Sequence, residues 1–197
     1  MRRGSPMIPV ARFVLRFFLL AALFAFAINV NSGGPADVNS SEQTSFGMEG
    51  IPLSHPVNLP NGAMRVMLKN ATVLSCSEQE QSGGKALEKW FVASEIHLTT
   101  SSQVDLVVMP QDMHEKPSAN RCLLNAHSMP FWILAKQGPE YALVLEANVQ
   151  TLKVLRTMSH EYRDIETSSS NPNESTKWFY QFDGHRYTLS KKTSTPQ

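Results

Sequence analysis

Residues 93–109, ASEIHLTTSSQVDLVVM, read as two β-strands around a short polar loop, with Asp105 entering the second strand. The shape matches a calcium-binding acidic hairpin. The loop therefore decides between a metal-stapled module and a plain β-sheet protein. Ca²⁺ requires about six to eight oxygen ligands, several of them charged, and such hairpins run D-x-N-x-D-G-x-x-D. The corresponding stretch here is HLTTSSQVD, from His97 to Asp105, with a single carboxylate and no loop glycine. Hydroxyls and one carboxylate are too weak a donor set, so no metal ligands are assigned. Asp105 is expected to cap or bond its own loop backbone.

Around this hairpin, everything after Trp90 favours strands: WFVASEIHL, VDLVVM, PFWILAK, YALVLEA, LKVLRT, YRDIETS, TKWFYQFDG and RYTLSK. They are short, rich in β-branched and aromatic residues, and separated by polar, Gly or Pro breaks. The gaps leave no room for crossover helices, so neighbouring strands should pair antiparallel. Upstream, LPNGAMRVMLKNATVLSC places Leu59, Ala63, Met64, Met67, Leu68 and Ala71 on one helical face, with Asn61 available as a cap. Alternation of Met64, Val66 and Leu68 also permits a strand; the helix is preferred. The expected fold is mainly β (α+β), an antiparallel β-meander with a short N-terminal helix packed on it.

At the N-terminus, Arg2, Arg3, Arg12 and Arg16 precede the apolar run FFLLAALFAFA, residues 17–27, and no acidic residue precedes Asp37. This is the charged and apolar pattern of an export signal. Ala25-Phe26-Ala27 offers a cleavage site. The apolar stretch from Phe17 to Val30 is 14 residues long, short of the roughly 20 an anchor needs. A cleaved signal over 1–27 is preferred, a membrane anchor being the alternative, and the remainder lies outside the cytoplasm either way. Residues 28–58 are rich in Ser, Asn, Gly and Pro and read as a flexible linker. Residues 59–197 then form a single β-rich domain of a common size.

The whole chain carries a formal charge of +1. Without the four N-terminal arginines, 14 basic residues face 17 acidic ones, about −3. That balance has no basic cluster and excludes the electrostatic footprint of nucleic-acid binding. The two cysteines, Cys76 and Cys122, are expected to form a disulfide in an oxidising compartment, worth about 4 kcal/mol on the chain-entropy model. Two buried thiols are the alternative.

Other chemistry finds little support. HEYRD, with His160, Glu161 and Asp164, resembles the start of an H-E-x-x-H zinc motif, but position 164 is aspartate and the context is strand or turn. The histidines His55, His97, His114, His127, His160 and His185 lack ligand spacing. There is no nucleophile elbow, P-loop or dinucleotide fingerprint, and no catalytic residue or cofactor is assigned. A triad assembled only in space leaves no sequence trace. In FYQFDGHRY, Asp183-Gly184 signals a hairpin turn of type I′. Trp178, Tyr180 and Phe182 alternate onto one side and, with Tyr187, either join the core or form a binding surface. The sequons at Asn39, Asn70 and Asn173 are read as chance matches.

WFVASEIHLTTSSQVDLVVM, CLLNAHSMPFWILAKQGPEYALVLEANVQTLKVL, EYRDIETSSS and the closing Y-x-F-D-G-x-x-Y, Tyr180 to Tyr187, together resemble a group of small, exported, uncharacterised bacterial proteins. In many of these the first segment is similar to an FG-GAP or VCBS-type acidic hairpin. The resemblance implies a small β-rich envelope protein and implies no activity. Two functions are consistent with these features. The first is a non-enzymatic module of the periplasm or secreted space that binds an envelope protein or ligand. The second is a periplasmic hydrolase with a spatially assembled site. A deep pocket of His, Asp and Ser would favour the hydrolase; an exposed aromatic patch or open strand edge would favour binding.

Overall fold

The computed structural model describes residues 43–48, 53, 55–79, 84–111 and 120–197. Residues 1–27, where a signal or anchor is expected, lie outside them. The described chain is mainly β, with ten strands in two five-stranded antiparallel sheets. One sheet joins β2 (Pro56–Val57), β3 (Phe91–Ile96), β4 (Asp105–Pro110), β5 (Met129–Gln137) and β6 (Glu140–Val149) in that order. The other joins β1 (Ser45–Gly47), β7 (Thr151–Ser159), β8 (Tyr162–Asn171), β9 (Glu174–Phe182) and β10 (Tyr187–Pro196). From β3 onward this is a meander. Gln150 alone separates β6 from β7, and there the chain passes from one sheet to the other.

The apolar run of β5 explains how the first sheet sits in the molecule. Strands buried on both faces lose their alternation and become continuously hydrophobic. Phe131, Ile133 and Ala135 join a cluster with Phe46, Leu152, Val154, Ile165, Phe182 and Tyr187 of the second sheet. Trp132 and Leu134 point the other way, into a cluster with Ala63, Met67, Val73, Cys76 and Trp90. β4 divides likewise, Val107 to the first cluster and Leu106 and Val108 to the second.

Two local expectations change. The segment from residue 59 forms two short helices, α1 (Asn61–Met67) and α2 (Ala71–Gln79), not one. The cause is Asn70, whose Oδ1 accepts from Val73 N at 3.1 Å while its carbonyl accepts from Leu74 N. An asparagine side chain that bonds the backbone three residues on starts a new helix. Asn61 is the first residue of α1, after Pro60, and no side-chain cap bond forms there. The second change concerns residues 28–58. Phe46, fully buried, pairs with Leu152 in β1, and Pro56–Val57 pair with β3. A three-residue edge strand needs one good apolar anchor, which a polar composition conceals.

The turns also exchange roles. β7 and β8 are joined by His160 and Glu161, with φ of 48° and 67°, the two positive values that a type I′ hairpin requires. The β9–β10 connection is longer. Asp183 N donates to Arg186 O at 3.0 Å, Asp183 Oδ1 accepts from His185 N and Arg186 N, and Gly184 sits at φ 101°. Asp183 thus holds the loop by side-chain bonds and is not a central residue of a two-residue turn.

Candidate functional site

Asp105 begins β4 and is 2% exposed. Its Oδ2 accepts from Leu98 N at 3.0 Å and its Oδ1 from Lys136 N at 2.8 Å. The carboxylate thus closes the β3–β4 loop and ties it to β5. Burial pushes its pKa up, against the opposing pull of the two N–H groups. The amide of Gln103 adds a bond to Lys136 O. Thr99, Ser101 and Gln103 otherwise bond within the loop. Among the described residues, no three His, Cys, Asp or Glu side chains come together as a metal set.

Arg163 gathers the same end of the two sheets. Its backbone N donates to Leu98 O at 2.6 Å, its Nε to Leu155 O at 2.7 Å, and one terminal nitrogen to His97 O at 3.4 Å. Its carbonyl accepts from the Tyr187 hydroxyl at 2.6 Å. Desolvation first, with Asp105 and Asp164 nearby, raises the Tyr187 pKa strongly, so the phenol remains a donor. Tyr162 stacks on Phe182 with centroids 3.9 Å apart, and the His160 ring Nδ1 lies 2.8 Å from Phe182 O. The HEYRD residues therefore knit the sheet ends together. His160 and Glu161 occupy the turn, while Asp164 is buried in β8 with Oδ1 lacking a hydrogen-bond partner.

The four aromatic candidates separate. Phe182 and Tyr187 are buried in the inter-sheet cluster, whereas Trp178 and Tyr180 are half-buried and only packed against it. Beside them on β10, opposite Tyr180, Leu189 is 54% exposed. Lys192 stands over the Trp178 ring and Lys191 over Phe179, each 5.9 Å from the centroid. Sequence reasoning missed Leu189, Lys191 and Lys192. The signal available was a strand continuing as SKKTSTP, where the apolar alternation has already stopped. Among the described residues, β10 pairs with β9 alone, and a bulge interrupts the register between Leu189 and Lys191.

Cys76 of α2 and Cys122 form a disulfide, with Cα atoms 5.5 Å apart. It joins α2 to the short 3-10 helix Arg121–Leu123. Such a bond is consistent with an oxidising compartment. Among the described residues, no helix is long and apolar enough to cross a membrane. Asn70 is buried, and both it and Thr72 bond the Glu146 carboxylate, at 2.8 and 2.5 Å, so that sequon is part of the scaffold. Asn173 is exposed in the β8–β9 turn. His127 and Ser170 line an open depression with Asn171, Pro172 and Gln197.

These features define a disulfide-bonded protein of two antiparallel sheets whose last strand, among the described residues, has an open edge. Compared with known protein families, curated proteins and solved structures, the chain matches none.

Proposed function

We propose that the protein is an extracytoplasmic, non-enzymatic binding module that engages an envelope protein or ligand through the β9–β10 hairpin. The observation that carries this reading is Leu189, exposed beside half-buried Trp178 and Tyr180 on a strand that, among the described residues, is paired along one side only. Open strand edges with adjacent apolar groups suit recognition of another chain. The disulfide supports the export reading, and the arginine-flanked N-terminus would supply either a cleaved signal or an attachment to the membrane. In this reading α1 and α2 cover the outer face of the β2–β6 sheet, supported by Ala63, Met67 and Val73 in its apolar cluster and by the two bonds from Arg65 to Glu140. That would leave the β9–β10 hairpin as the accessible side.

The hydrolase alternative calls for convergent His, Asp and Ser. The depression holding His127 and Ser170 has no Asp or Glu side chain among its described lining residues, so binding is the better-supported reading. Incorporation of a photo-crosslinking residue at position 189 tests it in the source cell. The expected result is a discrete crosslinked species that is absent when the residue is placed at Ser170. The same smear from both positions would reject the assignment.

A further inference from the structure

Resting on the binding-module reading, we infer that the free edge of β10 receives an extended acidic segment of a partner protein, added as a sixth strand beside β10. The first support is geometric. β10 runs ten residues, from Tyr187 to Pro196, and from Thr188 to Pro196 every residue is exposed except half-buried Thr193. One side of the strand bonds β9. An extended peptide adds to such an edge by main-chain hydrogen bonds, and pockets for its alternate side chains give specificity.

The second support is charge. β10 contains Lys191 and Lys192 and no acidic residue. Successive strand residues face opposite sides of the sheet, and these two lysines do, one over Phe179 and the other over Trp178. A cation therefore flanks each face of the same edge. On β9, the nearby Lys177 is already engaged by Glu166 at 3.1 Å. An incoming strand with two adjacent carboxylates would meet one lysine on each face. An apolar residue further along it would reach Leu189 beside Tyr180 and Trp178.

The third support is what the edge rejects. Lysines and bulges on edge strands discourage pairing between sheets, and β10 has both. A second copy paired antiparallel about either lysine would set like charges side by side, which is destabilising. The same residues that deter a second copy attract an acidic strand, so the charge pattern selects the partner.

Titration of the full chain with synthetic decapeptides tests this. One peptide alternates Thr and Val around a central Glu-Glu, a second replaces Glu-Glu by Lys-Lys, and a third is the acidic peptide N-methylated at alternate amides. Trp90 and Trp132 are fully buried, so a fluorescence change reports on Trp178. The acidic peptide is expected to bind about tenfold more tightly than the basic one, on the scale of two cross-strand charge pairs. The double variant Lys191→Glu with Lys192→Glu should reverse that order, and N-methylation should abolish the preference by blocking strand addition. Equal binding of acidic and basic peptides, undiminished binding after N-methylation, or dimerisation of the chain through β10 would overturn the inference. A crosslink at position 189 to a partner without an acidic extended segment would overturn it too, while leaving the binding-module reading intact. No specific crosslink at all would reject that broader reading.

Discussion

His160 and Glu161 hold a left-handed backbone conformation that costs roughly 1 kcal/mol or more for each residue with a Cβ. The tight β7–β8 reversal imposes it, and the His160 ring bond to Phe182 O offsets part of the strain. Gly184 meets a similar demand without a Cβ, at φ 101° with open space around it. Gly184→Val should therefore lower stability by about 1 kcal/mol or more through backbone conformation alone. Glu161→Gly should raise it by roughly 0.5–1 kcal/mol. Urea denaturation of both variants checks the pair; equal midpoints in all three proteins would contradict the turn geometry. Asp105 adds a pH dependence. Burial raises its folded pKa above the unfolded value, so its contribution is most favourable below the unfolded pKa and declines as pH rises through the folded pKa. Asp105→Asn removes this titration but sets an amide against one of two backbone N–H donors, costing about 1–3 kcal/mol. The stability gap between wild type and variant should accordingly be widest at the acid end of the window and narrow as pH rises. Denaturation at a series of pH values measures it, and a gap that widens with pH would contradict the sign.

Among the elements, α2 depends most on a covalent link. It is nine residues long, below the length at which an isolated helix is stable in water. Val73 and Cys76 are its buried residues, and the Cys76–Cys122 bond ties it to the Arg121–Leu123 turn. Replacing both cysteines by serine should lower stability by about 2–4 kcal/mol, with amide exchange in α2 accelerating more than in β5. A uniform change in exchange across both elements would argue that the bond stabilises only the chain as a whole. β5 shows the opposite case, a strand sealed from both sides. Its composition made it legible as a strand. The two clusters that share it could not be read from PFWILAK, because continuous burial erases the alternation that assigns faces.

For the whole molecule, the question raised by residues 93–109 becomes one of ligand linkage. A ligand stabilises a fold only by binding its native state. Asp105 spends both oxygens on backbone N–H groups. Millimolar Ca²⁺ should therefore leave the thermal midpoint unchanged in a calorimetric titration, and a rise of several degrees would show a site that this bonding does not accommodate. The same bonds, with those of Arg163, fasten the β3–β4 loop to β5 and β8. The end of the molecule that carries Asp105 is thus its stapled end, and the exposed β10 edge is where recognition is proposed.

By itself the sequence determined the antiparallel meander and the positive φ of Gly184, because strand propensity, short gaps and a tight reversal are local demands written in neighbouring residues, and it offered the cysteine pair by number and expected compartment. Only the tertiary structure decided the rest. Phe46 became a strand by pairing with Leu152, more than a hundred positions away. Asn70 split a helix while binding Glu146. Phe182 and Tyr187 were buried while Trp178 and Tyr180 stayed half-buried and Leu189 exposed. Which side of an alternating strand meets water depends on what packs opposite, and that is a property of the assembled sheets, not of the strand.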